Sequence, residues 1–427
     1  MNFTAQVALD ALRCAVLAGA AFAIGWPLGG GRRSTLRTVC LIAPLLMPSL
    51  LISYAAAPVT LMFGGSMLAA FYSVLLMLKL APLAALARDC FPSPLSAEAA
   101  FCARLLPAEG AAARAWFAVR AAGPVPWATL AVLFLLTFTD FELASLFAVK
   151  TWTVMLFDAH AGGLDPSLSL RRIALPVTIQ LAVIVALLVP RWSATSGRVG
   201  AARGGGLHFI IAIAVLIAGL PLARVAWLAA TGFAQLRVQE VFAADLVVSL
   251  GIAAAAAPGV WLLMRGRALV ALPGLLGALV LALLVLAFIQ VPVVRLLRDT
   301  PLPLIAVEML LIAPIAFVLR ELIRAHTPRE ALHLARMAGS RRLIWDLALA
   351  PRAGALALLF MLAYFELTAA TILAPIGLTP VFARLHNLAH YGQSAVLSAM
   401  LIAATLVPAA LLALTVGAAR LYARRDD

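Results

Sequence analysis

Apolar residues gather along this chain in long blocks separated by short polar stretches. A helix that crosses a membrane needs about 20 apolar residues. Eleven blocks approach that length: residues 7–28, 41–62, 66–87, 125–149, 173–190, 208–227, 242–264, 268–291, 303–317 (extending to about 320), 353–373 and 395–418. The second and fourth are the least regular, because prolines or acids interrupt them. The pattern predicts an all-α integral membrane protein with about eleven transmembrane helices.

Composition strengthens this reading. The 427 residues are 64% hydrophobic and 12% charged, with a mean hydropathy of +1.06, whereas a soluble domain is about half apolar. The net charge of +14 comes almost entirely from arginine, Lys79 and Lys150 being the only lysines. A basic excess can mark a nucleic-acid binder, but no basic patch interleaved with aromatic residues occurs here, so no nucleic-acid partner is expected. Basic residues beside membrane helices instead set topology. Arg32, Arg33 and Arg37, then Arg88 to Arg120, Arg191 to Arg203, Arg265 and Arg267, Arg320 to Arg352, and Arg420 to Arg425 fall in one alternate set of loops. The other set is poor in them. This places the amino terminus outside and the carboxyl terminus in the cytoplasm. Cys14, Cys40, Cys90 and Cys102 form no CxxC pair and read as reduced thiols. No basic stretch precedes the first apolar run, so a cleaved signal peptide is not expected.

An ordered series of short matches relates the two halves. "KLAPLAALARD" (79–89) pairs with "LIAPIAFVLRE" (311–321) at an offset of 232 residues, matching Pro82 to Pro314 and Arg88 to Arg320. At the same offset "EAAFCAR" (98–104) meets "EALHLAR" (330–336). "FELAS" (141–145) meets "FELTA" (365–369) at 224, and "AHAGG" (159–163) meets "AHYGQ" (389–393). Matched helices lie six apart, and an even number preserves orientation. The series therefore predicts two parallel repeats: residues 1–190 and 241–427, each with about five helices, joined by a linker and adaptor helix at 191–240.

Residues 329–351, "REALHLARMAGSRRLIWDLALAP", are the most charged cytoplasmic stretch. Thr327, Pro328 and Glu330 have the form of a capping box with proline at the first helical position. Gly339 and Ser340 stop that helix, and a second short helix, 341–350, precedes Pro351. Such a helix-turn-helix docks into a partner's groove through side chains such as Leu343, Ile344 and Trp345, or rests on lipid headgroups. The segment resembles the EAA loop of ABC-importer membrane subunits, in which Glu-Ala-Ala, a Gly and a terminal Leu-Pro recur. Gly339 and Pro351 match that pattern one residue short. The family's Glu falls at His333, and Glu330 lies one turn earlier. In the first half Glu98, Ala99 and Ala100 keep the triplet, but Gly110 is displaced and Pro107 intervenes. The second half as a whole, through "FELTAATILAPIGLTPVFARLHNLAHYGQ", is similar to the fused permeases of the ferric-iron and thiamine importer group.

That resemblance implies the type I importer fold, with coupling loops at 88–124 and 325–351. It also implies a bacterial inner-membrane location, two copies of a cytoplasmic ABC ATPase, and a periplasmic substrate-binding protein. The ATPase-contacting residues it implies are Glu98, Ala99, Ala100, Arg104, Gly110, Glu330, Ala331, His333, Arg336, Gly339, Trp345 and Pro351. Iron(III), thiamine and other small solutes are the substrates of that group. The chain itself carries no GxxxxGK[ST] phosphate-binding motif, so it is expected to be a transport subunit without an ATPase site. It is expected to bind no cofactor, with ATP used by the partner.

Ionisable groups within membrane spans are costly and usually functional. Lys79, Asp140, Glu142, Glu308 and Glu366 qualify. Glu142 and Glu366 are matched by the repeat. They line a translocation route, or else fix helix packing by pairing; a bridge between Lys79 and Glu308 is one such pairing. With Glu142, Glu366 and Glu308 as proton sites, the alternative is an ion-coupled secondary carrier. His386 and His390, spaced i,i+4, have the spacing of two metal ligands but no third. A periplasmic-loop helix contacting a binding protein accounts for them better than a metal site does, and a plain surface helix better still.

Overall fold

In a computed structural model the chain is described over residues 2–31, 34–60, 62, 64–91, 123–163, 166–188, 206–236, 240–264, 268–375 and 377–424. The described residues are mostly helical, without strands. Among the described residues nine helices are long and apolar enough to cross a membrane, or up to eleven if each of two sharply bent pairs is one span. The chain divides into two compact units, Met1–Gly163 with Arg171–Pro221, and Leu164–Leu170 with Leu222–Asp427.

The first unit begins with α1 (Phe3–Leu28). Its buried positions Val7, Asp10, Cys14, Ala18, Ala21 and Gly25 recur every three to four residues and form one stripe. That stripe meets α4 (Gly65–Cys90). The contact is close because both faces are small: a Cβ on Gly25 would lie 1.9 Å from the Ala81 carbonyl oxygen. Small residues let membrane helices approach in this way. Between them, α2 (Thr35–Leu46) and α3 (Ser49–Thr60) meet at 76°. The second apolar run is therefore not one straight helix. Met47 is extended because it precedes Pro48, and a residue before proline is driven out of the helical region.

Beyond residue 122 come α5 (Val125–Phe138), the short α6 (Glu142–Leu146), α7 (Trp152–Ala161) and α8 (Pro166–Leu188). The core of this unit gathers Leu17, Tyr72, Leu76, Leu80, Leu133 and Phe141. A helix over Leu207–Ala229, α9, carries the chain into the second unit. It contains a π-helical turn at Val215–Gly219, two residues before Pro221. Proline supplies no N–H to the preceding turn, and a wider turn absorbs the misfit.

The second unit repeats the vocabulary of the first. α10 (Glu240–Leu263) packs on α12 (Leu302–His326). Between them lie a 3₁₀ segment, Ala268–Leu276, and α11 (Ala278–Ile289), meeting at 104°. The eighth apolar run, expected as a single span, is broken here. Gly277 sits at φ +82°, a left-handed conformation that favours glycine. Within the 3₁₀ segment a Cβ on Gly274 would approach the Leu310 carbonyl oxygen of α12 to 2.1 Å. The chain continues through α13 (Arg329–Met337), α14 (Arg341–Tyr364), α15 (Thr368–Leu373), α16 (Val381–Ala389) and α17 (Ala395–Arg424). Residues 341–350 are not a separate helix before the span. They run into it through a second π turn, Trp345–Leu349, which again lies two residues before a proline, Pro351.

Candidate functional site

The charged segment between α12 and α14 folds as two helices around a glycine. α13 ends at Gly339, whose φ is +67°. The Ser340 amide reaches back to the Ala335 carbonyl at 3.1 Å and the Gly339 amide to Arg336 at 3.2 Å, the bonds of a glycine-closed helix end. The Ser340 hydroxyl then accepts from the Leu343 amide at 3.4 Å, capping α14. The expected capping box at the start of α13 does not form. Thr327 instead donates its hydroxyl to the Ile323 carbonyl of α12 at 2.7 Å, and Pro328 occupies the N-cap without a side-chain bond.

α13 is two-faced. Leu332 and Ala335 turn inward, while Leu334 and Met337 are 65% and 74% exposed. Glu330, His333, Arg336 and Gly339 are exposed and Ala331 is half-buried. In α14 Leu343 is exposed beside Arg341 and Arg342, Pro351 is exposed, and Trp345 is buried in the unit. The exposed apolar side chains of this segment thus include Leu334, Met337 and Leu343 but not the tryptophan. Glu98, Ala99, Ala100, Arg104 and Gly110 lie outside the described residues.

The intramembrane charges fall into two groups. In the first unit Lys79 donates to the Ser49 hydroxyl at 2.8 Å and interacts electrostatically with Glu142 and Asp140. Asp140 accepts from the Tyr72 hydroxyl at 2.9 Å and from the Ala144 amide at 3.2 Å, at the start of α6. The Arg13 guanidinium lies 5.2 Å from the centre of the Tyr72 ring. One turn away, Asp10 accepts from the Trp152 amide at 2.7 Å and from Gln6 at 3.1 Å. A carboxylate thereby meets the positive end of α7.

In the second unit Glu308 is 3% exposed, and its Oε2 has no hydrogen-bond donor among the described residues. The charge acting on it is Glu366, whose Oε1 accepts from the Ala369 amide of α15 at 2.9 Å. Asp245 pairs with Arg384 of α16. Ser249, one turn further along α10, accepts from the Val381 amide at 2.7 Å. His386 and His390 stand edge to face, 4.9 Å between ring centres. Burial, and secondarily the neighbouring His390, push the His386 imidazole down to about 4. Among the described residues no three His, Cys, Asp or Glu side chains converge as metal ligands.

Sequence reading selected Lys79, Asp140, Glu142, Glu308 and Glu366 but passed over Asp10, Tyr72 and Asp245. Asp10 and Asp245 each lie within an apolar run and carried the same signal as the acids selected. Tyr72 carried none. Sequence reading also matched Arg88 to Arg320 but gave no sign of their tryptophan contacts. Arg88 donates to the Trp26 carbonyl at 2.8 Å with its guanidinium 5.7 Å from that ring's centre. Arg320, its counterpart at the offset of 232, donates to the Trp261 carbonyl at 3.0 Å and lies 5.9 Å from that ring. Comparison of the chain with known protein families, with curated proteins and with solved structures found no match.

Proposed function

We propose that this chain is the fused membrane subunit of a binding-protein-dependent ABC importer, and that its two units are parallel repeats of one permease domain. The observation that carries the reading is the α13–Gly339–α14 element. It joins two membrane-length helices, is ringed by Arg336, Arg341 and Arg342, and leaves Leu334, Met337 and Leu343 uncovered. An amphipathic element of this kind fits a groove on a partner. The matched Arg88–Trp26 and Arg320–Trp261 clamps support the repeat, as does a sharply bent helix pair at the corresponding place in each unit.

On this account two ATPase copies dock in the cytoplasm, on the segments around residues 98–110 and 330–351. Closure of the ATPase dimer on ATP moves these elements and switches the pathway between inward- and outward-facing states. A periplasmic binding protein delivers a small solute, iron(III) and thiamine being the substrates of the group the sequence resembles. The buried Glu308 Oε2, without a hydrogen-bond partner among the described residues, favours a second reading, an ion-coupled carrier that needs no ATPase. Affinity purification from the native membrane separates the two. The importer yields a P-loop ATPase at two copies per chain. A chain that purifies alone, and moves solute on a proton gradient after reconstitution, is the carrier.

A further inference from the structure

A pocket of about 420 Å³ opens between the start of α1, α7 and α8. Phe3 and Thr4 line it from α1, Met155 from α7, and Arg171, Arg172 and Leu175 from α8. The Arg172 guanidinium lies over the Phe3 ring, 5.9 Å from its centre, a contact that holds it at the pocket wall. Among the described residues no carboxylate is in ion-pair reach of either arginine, and none that lines the pocket is acidic. Both arginines lie early in the membrane-length helix Leu168–Leu188, at an end of the set otherwise poor in arginine. Charge at that depth is costly and calls for a counter-charge. At the offset that pairs residues 159–163 with 389–393, their places fall to Leu401 and Ile402, both buried, so the pair has no counterpart in the second half. The surface leading away from the pocket is apolar: Leu9, Leu12 and Val16 are exposed along α1, and Leu175, Val185 and Leu188 along α8. From Phe3 to Val16, and from Arg171 to Val185, each helix rises about 20 Å, enough to cover the hydrocarbon of one leaflet, about 15 Å.

We propose that this pocket holds the phosphate headgroup of an anionic phospholipid, whose acyl chains lie along the exposed apolar faces of α1 and α8. Arg171 and Arg172 supply the charge and the donors, since the arginine fork pairs with two phosphate oxygens at once. Phe3 positions Arg172. The apolar stripes running from the pocket select a lipid over a free anion or an acidic protein segment, neither of which would cover them. The site goes beyond the importer reading and needs neither the ATPase nor the repeat.

The test is native mass spectrometry of the purified full-length chain, released from detergent after incubation with phosphatidylglycerol or with phosphatidylcholine. The expected result is saturable retention of one phosphatidylglycerol per chain, not matched by phosphatidylcholine, and lost in the double variant Arg171→Gln/Arg172→Gln. Thr4→Glu puts a carboxylate into the pocket from the first turn of α1, where a negative charge is favoured. It is expected to fold, to pair with the arginines and to abolish retention while leaving both of them in place. Arg224→Gln removes an exposed arginine of α9 that does not line the pocket, and is expected to retain the lipid. Equal retention of the two lipids overturns the site, as does retention unchanged in the double variant or in Thr4→Glu, or an equal loss in Arg224→Gln. A chain that retains no phosphatidylglycerol but is stabilised against heat by inorganic phosphate holds a free anion, and overturns the proposal. An acidic protein retained through the two arginines in place of lipid does the same. Recovery or loss of the ATPase on purification bears on the importer reading alone.

Discussion

Replacing Arg88 and Arg320 with methionine probes the fold and the duplication together. Methionine keeps an apolar stem for packing while removing the charge. Each arginine donates a charged hydrogen bond to a tryptophan carbonyl, at 2.8 Å for Arg88 and 3.0 Å for Arg320; such bonds contribute roughly 1.5–3 kcal/mol. Each also lies over the same tryptophan's ring, for about 0.5–1 kcal/mol at a half-exposed site. The expected loss is therefore on the order of 2–4 kcal/mol for each variant. Arg88→Met is expected at the lower end, because the Trp26 carbonyl also accepts from the Gly29 amide at 3.2 Å and is not left bare. The clamps share no residue and belong to different compact units, so the double variant should show the sum to within about 0.5 kcal/mol. Denaturant unfolding in detergent, followed by tryptophan fluorescence and by a second probe remote from Trp26 and Trp261, measures this. Two losses below about 0.5 kcal/mol would refute the clamp as a stabilising device. A loss confined to one unit would refute the equivalence of the two.

Four further substitutions test the packing and the polar contacts. Gly25→Ala and Gly274→Ala each drive a Cβ onto a backbone carbonyl, at 1.9 Å and 2.1 Å; each should cost about 1–3 kcal/mol or more, read as a lowered Tm. Asp10→Ala removes the acceptor for the Trp152 and Gln6 donors and should destabilise by roughly 1.5–3 kcal/mol, with hydrogen exchange accelerated first at the start of α7. His386 is buried and held to about 4, below its usual 6.5. The unfolded chain therefore takes up the proton first, and stability is full above pH 6.5 and falls progressively towards pH 4, by on the order of 3 kcal/mol. His386→Gln should flatten that acid limb in a pH series of unfolding midpoints, and an unchanged limb would remove His386 as its source.

Apolar run length alone located the membrane helices, because the cost of burying backbone in lipid forces helices of a set length. Gly339 was legible for a related reason: a glycine after an amphipathic turn marks a left-handed stop, and its φ is +67°. The bend at Gly277 was not legible. A glycine within an apolar run is common in membrane helices, and what fixes this one is the close approach of Gly274 to α12, a tertiary contact. The capping box failed because Thr327 has a competing acceptor at Ile323 in the helix before it. Trp345 read as a docking side chain from its place in the segment. Its burial follows from α14 running unbroken into the span, and the π turn before Pro351 that permits this leaves little trace in an apolar pattern. The acids were legible as intramembrane charges, but their partners were not, since Tyr72 and Asp140 lie 68 residues apart.

On the importer reading proposed above, the face carrying Leu334, Met337 and Leu343 docks an ATPase. The most direct measurement places a photo-activated cross-linking amino acid at Met337, which is 74% exposed, irradiates intact cells, and identifies the adduct by mass spectrometry. The account predicts a single major adduct on a P-loop ATPase, lost when Leu343 is changed to glutamate. Adducts to lipid alone, with no ATPase among them, would contradict it and leave α13 as a helix resting on the membrane surface.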